Sequence, residues 1–386
     1  MLARILFFVA LVGAMAVDAA PAAASAHGAA PPAELVYAAP GGAGSQTGCL
    51  NAPCGNQQVF LAVTDGNKTG ATGTTQLTQT AANAFGPVLS PDGAYVAYRD
   101  YGTTAAGAPA PTLALASTDG QTQRVLDATG GGQGPTIVNP PSWSPDGRYI
   151  AYDVLAPGSP VAPSPGMQVH MVSPDGSGQQ VLANGADPAW SPTDTGIAFV
   201  GADGIDFIRP GQAQQSLYPY SAWDAQDAYA ADCPASQGDQ VSNSFSNLAW
   251  SPDGRMLAFT AAAGCSNPDS DFSKGDVWLA GVGPDGANPH RILATNSPAA
   301  WSPDASSLAI GDFGGIDVVS PDGSNEHKIR TGDMYGDLLP SWSPTQQKFQ
   351  FYECERTGTD AQGNVVSSDV LTTVNTDGSS RSPSPT

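Results

Sequence analysis

The sequence predicts an all-β fold, a β-propeller of four-stranded antiparallel blades, on three observations. A Trp-Ser-Pro-Asp-Gly unit recurs down the chain, each copy leads into a short apolar strand, and an alternating strand then runs into an Asp-Gly turn. Four short strands repeated every roughly 40 to 60 residues are the sequence mark of this architecture.

The first unit is clearest at Trp143-Ser-Pro-Asp-Gly147, and related copies begin at Leu89, Trp190, Trp250, Trp301 and Trp342. Pro supplies the fixed φ of a type I turn, Asp bonds its own backbone, and Gly tolerates positive φ at the exit. The apolar segments that follow read YVAY, YIAY, IAF, LAF, LAI and FQFY. Five of the seven Trp residues hold the repeat position. A large flat side chain placed once per repeat fits packing between neighbouring sheets; the other reading is a ring of ligand-stacking indoles.

The second anchor is the alternating strand that ends at Gly66, Gly120, Gly176, Gly286, Gly323 and Gly378, with a degenerate copy at Gly211. Period-two alternation into Asp-Gly is a hairpin signal. Each repeat therefore reads as a meander of strands a, b, c and d, with Ser-Pro-Asp-Gly between a and b and Asp-Gly between c and d.

The combined pattern resembles the PD40 (WD40-like) repeat of the TolB-type propellers, over nearly all of the chain after residue 26. That resemblance implies a protein-interaction role, although the chain carries no counterpart of the further N-terminal domain of TolB. Such propellers also serve as accessory domains of peptidases and lyases. Members usually have six blades. Here Leu35-Val-Tyr37 reads as one more b strand, which favours seven blades, with the first blade's missing a strand supplied by one terminus. Closure of that kind leaves no open sheet edge.

Composition agrees. The 386 residues include 45 Gly and 34 Pro, as a turn-rich all-β chain requires. The net charge of −21 argues against nucleic-acid binding, which needs a cationic face. Residues 1–26 read as a secretory signal: Arg4, an apolar core from Ile5 to Val17, and a small-residue site at Ala24-Ser25-Ala26. Residues 27–386 then form one propeller domain, secreted or periplasmic and monomeric, with no membrane span after cleavage.

In a meander the a–b and c–d turns share one face of the disc, and the b–c and d–a connections share the other. The tight turns all fall on the first face. The second receives 39–56, 103–111, 127–141, 155–166, the long insertion 219–247, the acidic loop 264–275, 331–340 and 353–367. Function sits on variable loops held by a rigid scaffold, so the binding site is expected there. All five Cys lie on the same face. Cys49 with Cys54, and Cys233 with Cys265, are candidate disulfides in an exported chain, and an odd count leaves one over, assigned to Cys354.

Two loops carry candidate chemistry. Tyr218, Tyr220, Trp223 and Tyr229 stand beside Asp224, Asp227, Asp232 and Asp239 in the long insertion. Such rings can stack on a sugar or anchor a peptide, or fold the loop onto the propeller. Asn267, Asp269, Asp271 and Asp276 place oxygens as in the start of a calcium loop, without its closing Glu; a solvated acidic turn is the alternative. No catalytic residue can be chosen. There is no Gly-x-Ser-x-Gly elbow, and His290 and His327 each lie five residues beyond the Asp of their turn, a place held by Arg124 and Gln180 in other repeats. The expected function is binding of a protein or cell-envelope component. The competing reading is a lyase or glycoside hydrolase acting on a polysaccharide or small molecule, with paired carboxylates as acid and base.

Overall fold

The computed structural model describes residues 33–40, 57–64, 73–79, 83–103, 109–127, 139–155, 166–193, 196–222, 241–265, 273–282, 289–295, 297–312, 315–329, 338–342, 348–359, 365–379 and 382–383. They form seven antiparallel sheets in chain order. The first has three strands, β1 (Ala33–Pro40), β2 (Gln57–Thr64) and β3 (Gly73–Gln76). The second holds β4 (Asn83–Leu89), β5 (Tyr95–Thr103), β6 (Pro109–Ser117) and β7 (Gln123–Asp127), and the third β8 (Ser142–Trp143), β9 (Ile150–Leu155), β10 (Met167–Val172) and β11 (Gln180–Asn184). The fourth holds β12 (Ala186–Trp190), β13 (Ile197–Gly201), β14 (Gly204–Ile208) and β15 (Gln215–Pro219), and the fifth β16 (Val241–Trp250), β17 (Met256–Cys265), β18 (Ser273–Gly281) and β19 (His290–Leu293). The sixth is β20 (Ala299–Trp301), β21 (Leu308–Asp312), β22 (Gly315–Val319) and β23 (His327–Ile329), and the seventh β24 (Leu338–Trp342), β25 (Lys348–Thr359), β26 (Val365–Asn375) and β27 (Ser382–Pro383).

Seven blades are therefore present, and β1 is the additional b strand, paired with β2 along its length. The strand β27 pairs with β26 and completes its own blade, while residues 384–386 lie outside the described residues. Residues 1–32 lie outside the described residues. Two segments read from sequence as connections are instead strand: Val241–Asn247 belongs to β16, and most of 353–367 belongs to β25 and β26. Their Ser, Glu and Gly content hid the extended backbone.

The apolar core is divided into six clusters, each shared by two consecutive sheets. The period of two along the b strands builds them. The bulky residues Tyr98, Tyr152, Phe199, Phe259 and Ile310 face the preceding blade. The residue next to each is Ala97, Ala151, Ala198, Ala258 or Ala309, facing the following blade, where Trp143, Trp190, Trp250, Trp301 or Trp342 packs. The Ala is small because the next blade's indole fills that space. Four indoles also donate across the seam: Trp143 Nε1 to Val88 O at 3.0 Å, Trp250 to Ala189 O at 3.0 Å, Trp301 to Ala249 O at 3.1 Å and Trp342 to Ala300 O at 2.9 Å. Trp190 is the exception; its Nε1 is buried with no acceptor, while its backbone N–H donates to Ser142 Oγ. The repeated Trp is thus a packing residue.

The tight-turn face is equally regular. In the third blade Ser144 Oγ donates to Asp146 Oδ1 at 2.7 Å, and the N–H groups of Arg148 and Tyr149 donate to Asp146 Oδ1 and Ser144 Oγ. The same bonds recur at Ser90, Ser251 and Ser302. The turn's closing residue has positive φ, 72° at Gly93, 68° at Gly147 and 69° at Gly254, and Ala305 takes 57° without being glycine.

Candidate functional site

The b–c hairpins differ in length from blade to blade, which makes the opposite face uneven. From the residue paired with the repeat Trp, the b strand of the fourth blade runs from Ile197 to Gly201, whereas that of the seventh runs from Phe349 to Thr359. The difference corresponds to about 20 Å at roughly 3.3 Å per residue. The hairpins of the second and fifth blades, β5–β6 and β17–β18, are also long.

Beneath this rim, a strained position in the a strands organises a polar belt. Strands β4, β12 and β16 each shift register three residues before the Trp position. The residues there, Gly86, Asp187 and Asn247, have φ of 57°, 54° and 57°. Asp and Asn are the non-glycine residues that best tolerate this region. Asp153, at the end of β9 and fully buried, accepts the Asp187 N–H at 2.8 Å, the Asn139 N–H at 3.0 Å and the Asn139 side-chain amide. Asp187 Oδ2 in turn accepts Leu248 N–H at 3.0 Å, and Asn247 donates to Thr260 Oγ1, which reaches Ser297 O at 3.3 Å. These bonds carry a chain of anchors through the third, fourth, fifth and sixth blades. They commit Asp153 to backbone and amide donors, a structural role. The sequence signal for this belt was the Pro or Asx just before the Trp, at Pro87, Pro141, Asp187-Pro188 and Asn247.

The aromatic candidates divide. Tyr218 ends β15 only 3% exposed, its ring 5.2 Å from Phe259 and 5.6 Å from Phe245, and burial pushes its hydroxyl up to about 12. Tyr220 opens a 3-10 turn (Tyr220–Ala222) and stacks on Phe245 at 4.5 Å, while its N–H donates to Asp203 O. Burial raises the Tyr220 hydroxyl as well. Both rings serve the seam between the fourth and fifth blades, so Tyr218 has no face left for a ligand. They pin the start of the long connection across the b–c turn of the fourth blade. Trp223 and Tyr229 lie outside the described residues.

The calcium candidates divide likewise. Asp276 is buried in β18 with Oδ1 3.5 Å from Arg291 Nη1, a cross-strand role. Asn267, Asp269 and Asp271 lie outside the described residues, as do Cys49, Cys54 and Cys233. Cys265 ends β17 opposite Val241, and Cys354 stands in β25 opposite Asp369. Among the described residues no three His, Cys, Asp or Glu are grouped to hold a metal ion. Asp206, in β14, is held above the usual carboxylate range by burial and then by the charge of Asp203, but Gln214 covers it at 3.3 Å. His290 and His327 link blades on the outer strands: His290 Nε2 meets Pro321 O at 2.7 Å, and His327 Nε2 meets Thr376 O at 2.7 Å.

No helix among the described residues is long and apolar enough to cross a membrane. No protein-family model matches the chain, and no curated protein matches it. Solved structures do. TolB from Acinetobacter baumannii superposes with a TM-score of 0.52 at 14% identity, over 81% of this chain and 66% of that one. The chain therefore spans just under two thirds of that protein. A puromycin-hydrolyzing peptidase from Mycobacterium tuberculosis gives a TM-score of 0.46 at 16% identity, over 83% of this chain and 47% of that one. The Cps50 (Swd1) β-propeller domain from Myceliophteria thermophila gives 0.40 at 9%, over 78% and 98%. Seven meander sheets joined by repeated indole seams, with the first of these superpositions, make the chain a TolB-like β-propeller in fold.

Proposed function

We propose that the protein is exported and acts as a binding scaffold, engaging a protein or a cell-envelope component through the face that carries the b–c hairpins and d–a connections. The observation that supports this is the inequality of the two faces. Among the described residues, one bears tight Ser-Pro-Asp-Gly and Asp-Gly turns that recur from blade to blade. The other bears hairpins of five to twelve residues per strand and a long connection pinned at its start by Tyr218 and Tyr220. Lengthening a surface loop costs little stability, so such a face can be shaped for a partner while the seams stay fixed. The leader-like residues 1–26 support export. Calcium belongs to this proposal through Asn267, Asp269 and Asp271.

The test is a pull-down with residues 27–386 from native envelope and culture extract, with calcium and with chelator. A variant lacking 223–240 and one with the β25–β26 hairpin shortened by removal of 353–366 are run in parallel. A reproducible protein partner, lost in at least one folded variant, is the expected outcome. Equal retention by both folded variants would remove the face assignment. Retention of a glycan fraction in place of a protein would refute a protein partner and move attention to turnover of that glycan.

A further inference from the structure

The c strands place one residue per blade opposite the bulky b-strand residue that faces the preceding blade. It is His170 in β10, Asp206 in β14, Trp278 in β18 and Asp317 in β22, opposite Tyr152, Phe199, Phe259 and Ile310. The outer strand supplies the cross-strand neighbour. Asp317 faces Lys328 and makes an ion pair at 3.1 Å. His170 faces Val181, which has nothing to offer it. Both imidazole nitrogens of His170 are buried and make no hydrogen bond. Its ring lies 5.4 Å from that of Tyr152.

Around it, the seam between the second and third blades is closed by polar bonds. Tyr152 Oη donates to Asp127 Oδ2 of β7 at 2.9 Å, and Gln179 Nε2 donates to the same carboxylate at 2.8 Å and to Tyr152 Oη at 2.9 Å. The titratable groups that act on His170 are Asp127 from β7 and Asp153 from β9, with the Tyr152 ring beside it; β11 contributes none. Asp127 and Asp153 already accept N–H or O–H donors, so a charged imidazole would enter a seam built for a neutral one.

We propose that His170 makes the seam between the second and third blades an acid-sensitive joint: protonation puts a cation whose two ring nitrogens meet no acceptor into the seam and loosens it. The sense follows from linkage. Burial holds the His170 imidazole below its ordinary value, against the smaller pull of Asp127 and Asp153. The folded state then binds fewer protons than the unfolded one. Stability is unaffected above about pH 6.5 and falls as pH drops below it, until the folded-state imidazole itself titrates. His327 has the opposite sense because both its nitrogens face carbonyls, so acid loosens one seam while it favours another.

The experiment is the pH dependence of unfolding between pH 8 and 5 for the full mature chain, His170→Phe and His170→Gln, with hydrogen exchange at both ends of the range. Expected is a fall in the wild-type folding constant, relative to that of His170→Phe, of roughly tenfold for each unit by which the imidazole titrates below 6.5. Faster exchange in β9 and β10 of wild type at pH 5 should accompany it. If His170→Phe fails to fold, the imidazole of the wild type is titrated directly by NMR. A His170→Phe slope equal to wild type, or an imidazole titrating at or above 6.5, overturns the joint.

Discussion

Replacing Ala305 by glycine should stabilise the protein. The Ser-Pro-Asp turn of the sixth blade makes the same bonds as its relatives, with Ala305 N–H donating to Ser302 O at 2.9 Å, yet it holds an alanine at φ 57°. The left-handed region costs an L-residue about 1–2 kcal/mol. Glycine removes that cost but loses about 0.5–1 kcal/mol through the freer unfolded chain. The net gain is at most about 0.5–1 kcal/mol, because the Ala305 methyl also packs against the apolar cluster of the fifth and sixth blades. The reverse substitutions calibrate it. Gly147→Ala meets only Pro91 Cδ at 3.8 Å, so it pays the backbone cost alone, about 1 kcal/mol. Gly254→Ala would place its Cβ 2.2 Å from Thr193 Oγ1, so that side chain must turn away and the loss is larger. Denaturant midpoints at constant m-value measure all three. An Ala305→Gly protein no more stable than wild type would refute the strain argument. Gly254→Ala as mild as Gly147→Ala would refute the close approach of neighbouring turns.

Trp301→Phe should cost about 1 kcal/mol more than Trp190→Phe, because only Trp301 gives up a seam hydrogen bond and strands the Ala249 carbonyl; equal losses in chemical denaturation would count against the indole bond. Ala258→Leu should destabilise by about 1–3 kcal/mol, since the next blade's Trp301 occupies the space, and an unchanged Tm would argue otherwise. His327→Gln should destabilise more at pH 5.5 than at pH 8. The carbonyls of Thr376 and Asn325 raise its pKa, so its contribution is complete below the unfolded value and is lost as pH rises through the folded one; a pH-independent difference would contradict this. The Asp119 carboxyl is held low by the Ser117 hydroxyl and the Gln121 N–H, so its contribution is present above about pH 3.9 and disappears as pH falls through the folded value. Asp119→Asn should therefore flatten the acid limb of the stability curve, and an unaltered limb would exclude the turn as its source.

The repeat was legible because each of its parts is a local rule. Pro91, Asp92 and Gly93 announce a turn wherever they occur, and the Ile-Ala-Tyr alternation at 150–152 announces a strand buried on both sides. Blade count followed from Leu35-Val-Tyr37, an apolar alternation that needs no partner to be read. The polar belt left only a faint trace, the Pro or Asx before the Trp position, because Asp153 and Asp187 are ordinary residues in sequence and become anchors only when consecutive blades meet. Tyr218 misled for the same reason. Its neighbours Phe245 and Phe259 lie 27 and 41 residues further along the chain, so an aromatic at the mouth of a loop looked available when it was enclosed. The hairpin arms of the seventh blade were hidden by polar content, since a strand that projects from a sheet has no core to demand alternation.

Among the described residues, the six clusters couple each sheet to its neighbours in the chain. Cooperativity in such a molecule is passed hand to hand, and the influence of an altered residue fades with the number of seams between it and the observer. A probe in the third blade and a probe in the sixth would then report different midpoints once a single intervening seam is weakened. The molecule behaves less like a globule with a centre than like a row of clasped units. Each face-bearing hairpin can drift in sequence under the protection of the two clasps at its base.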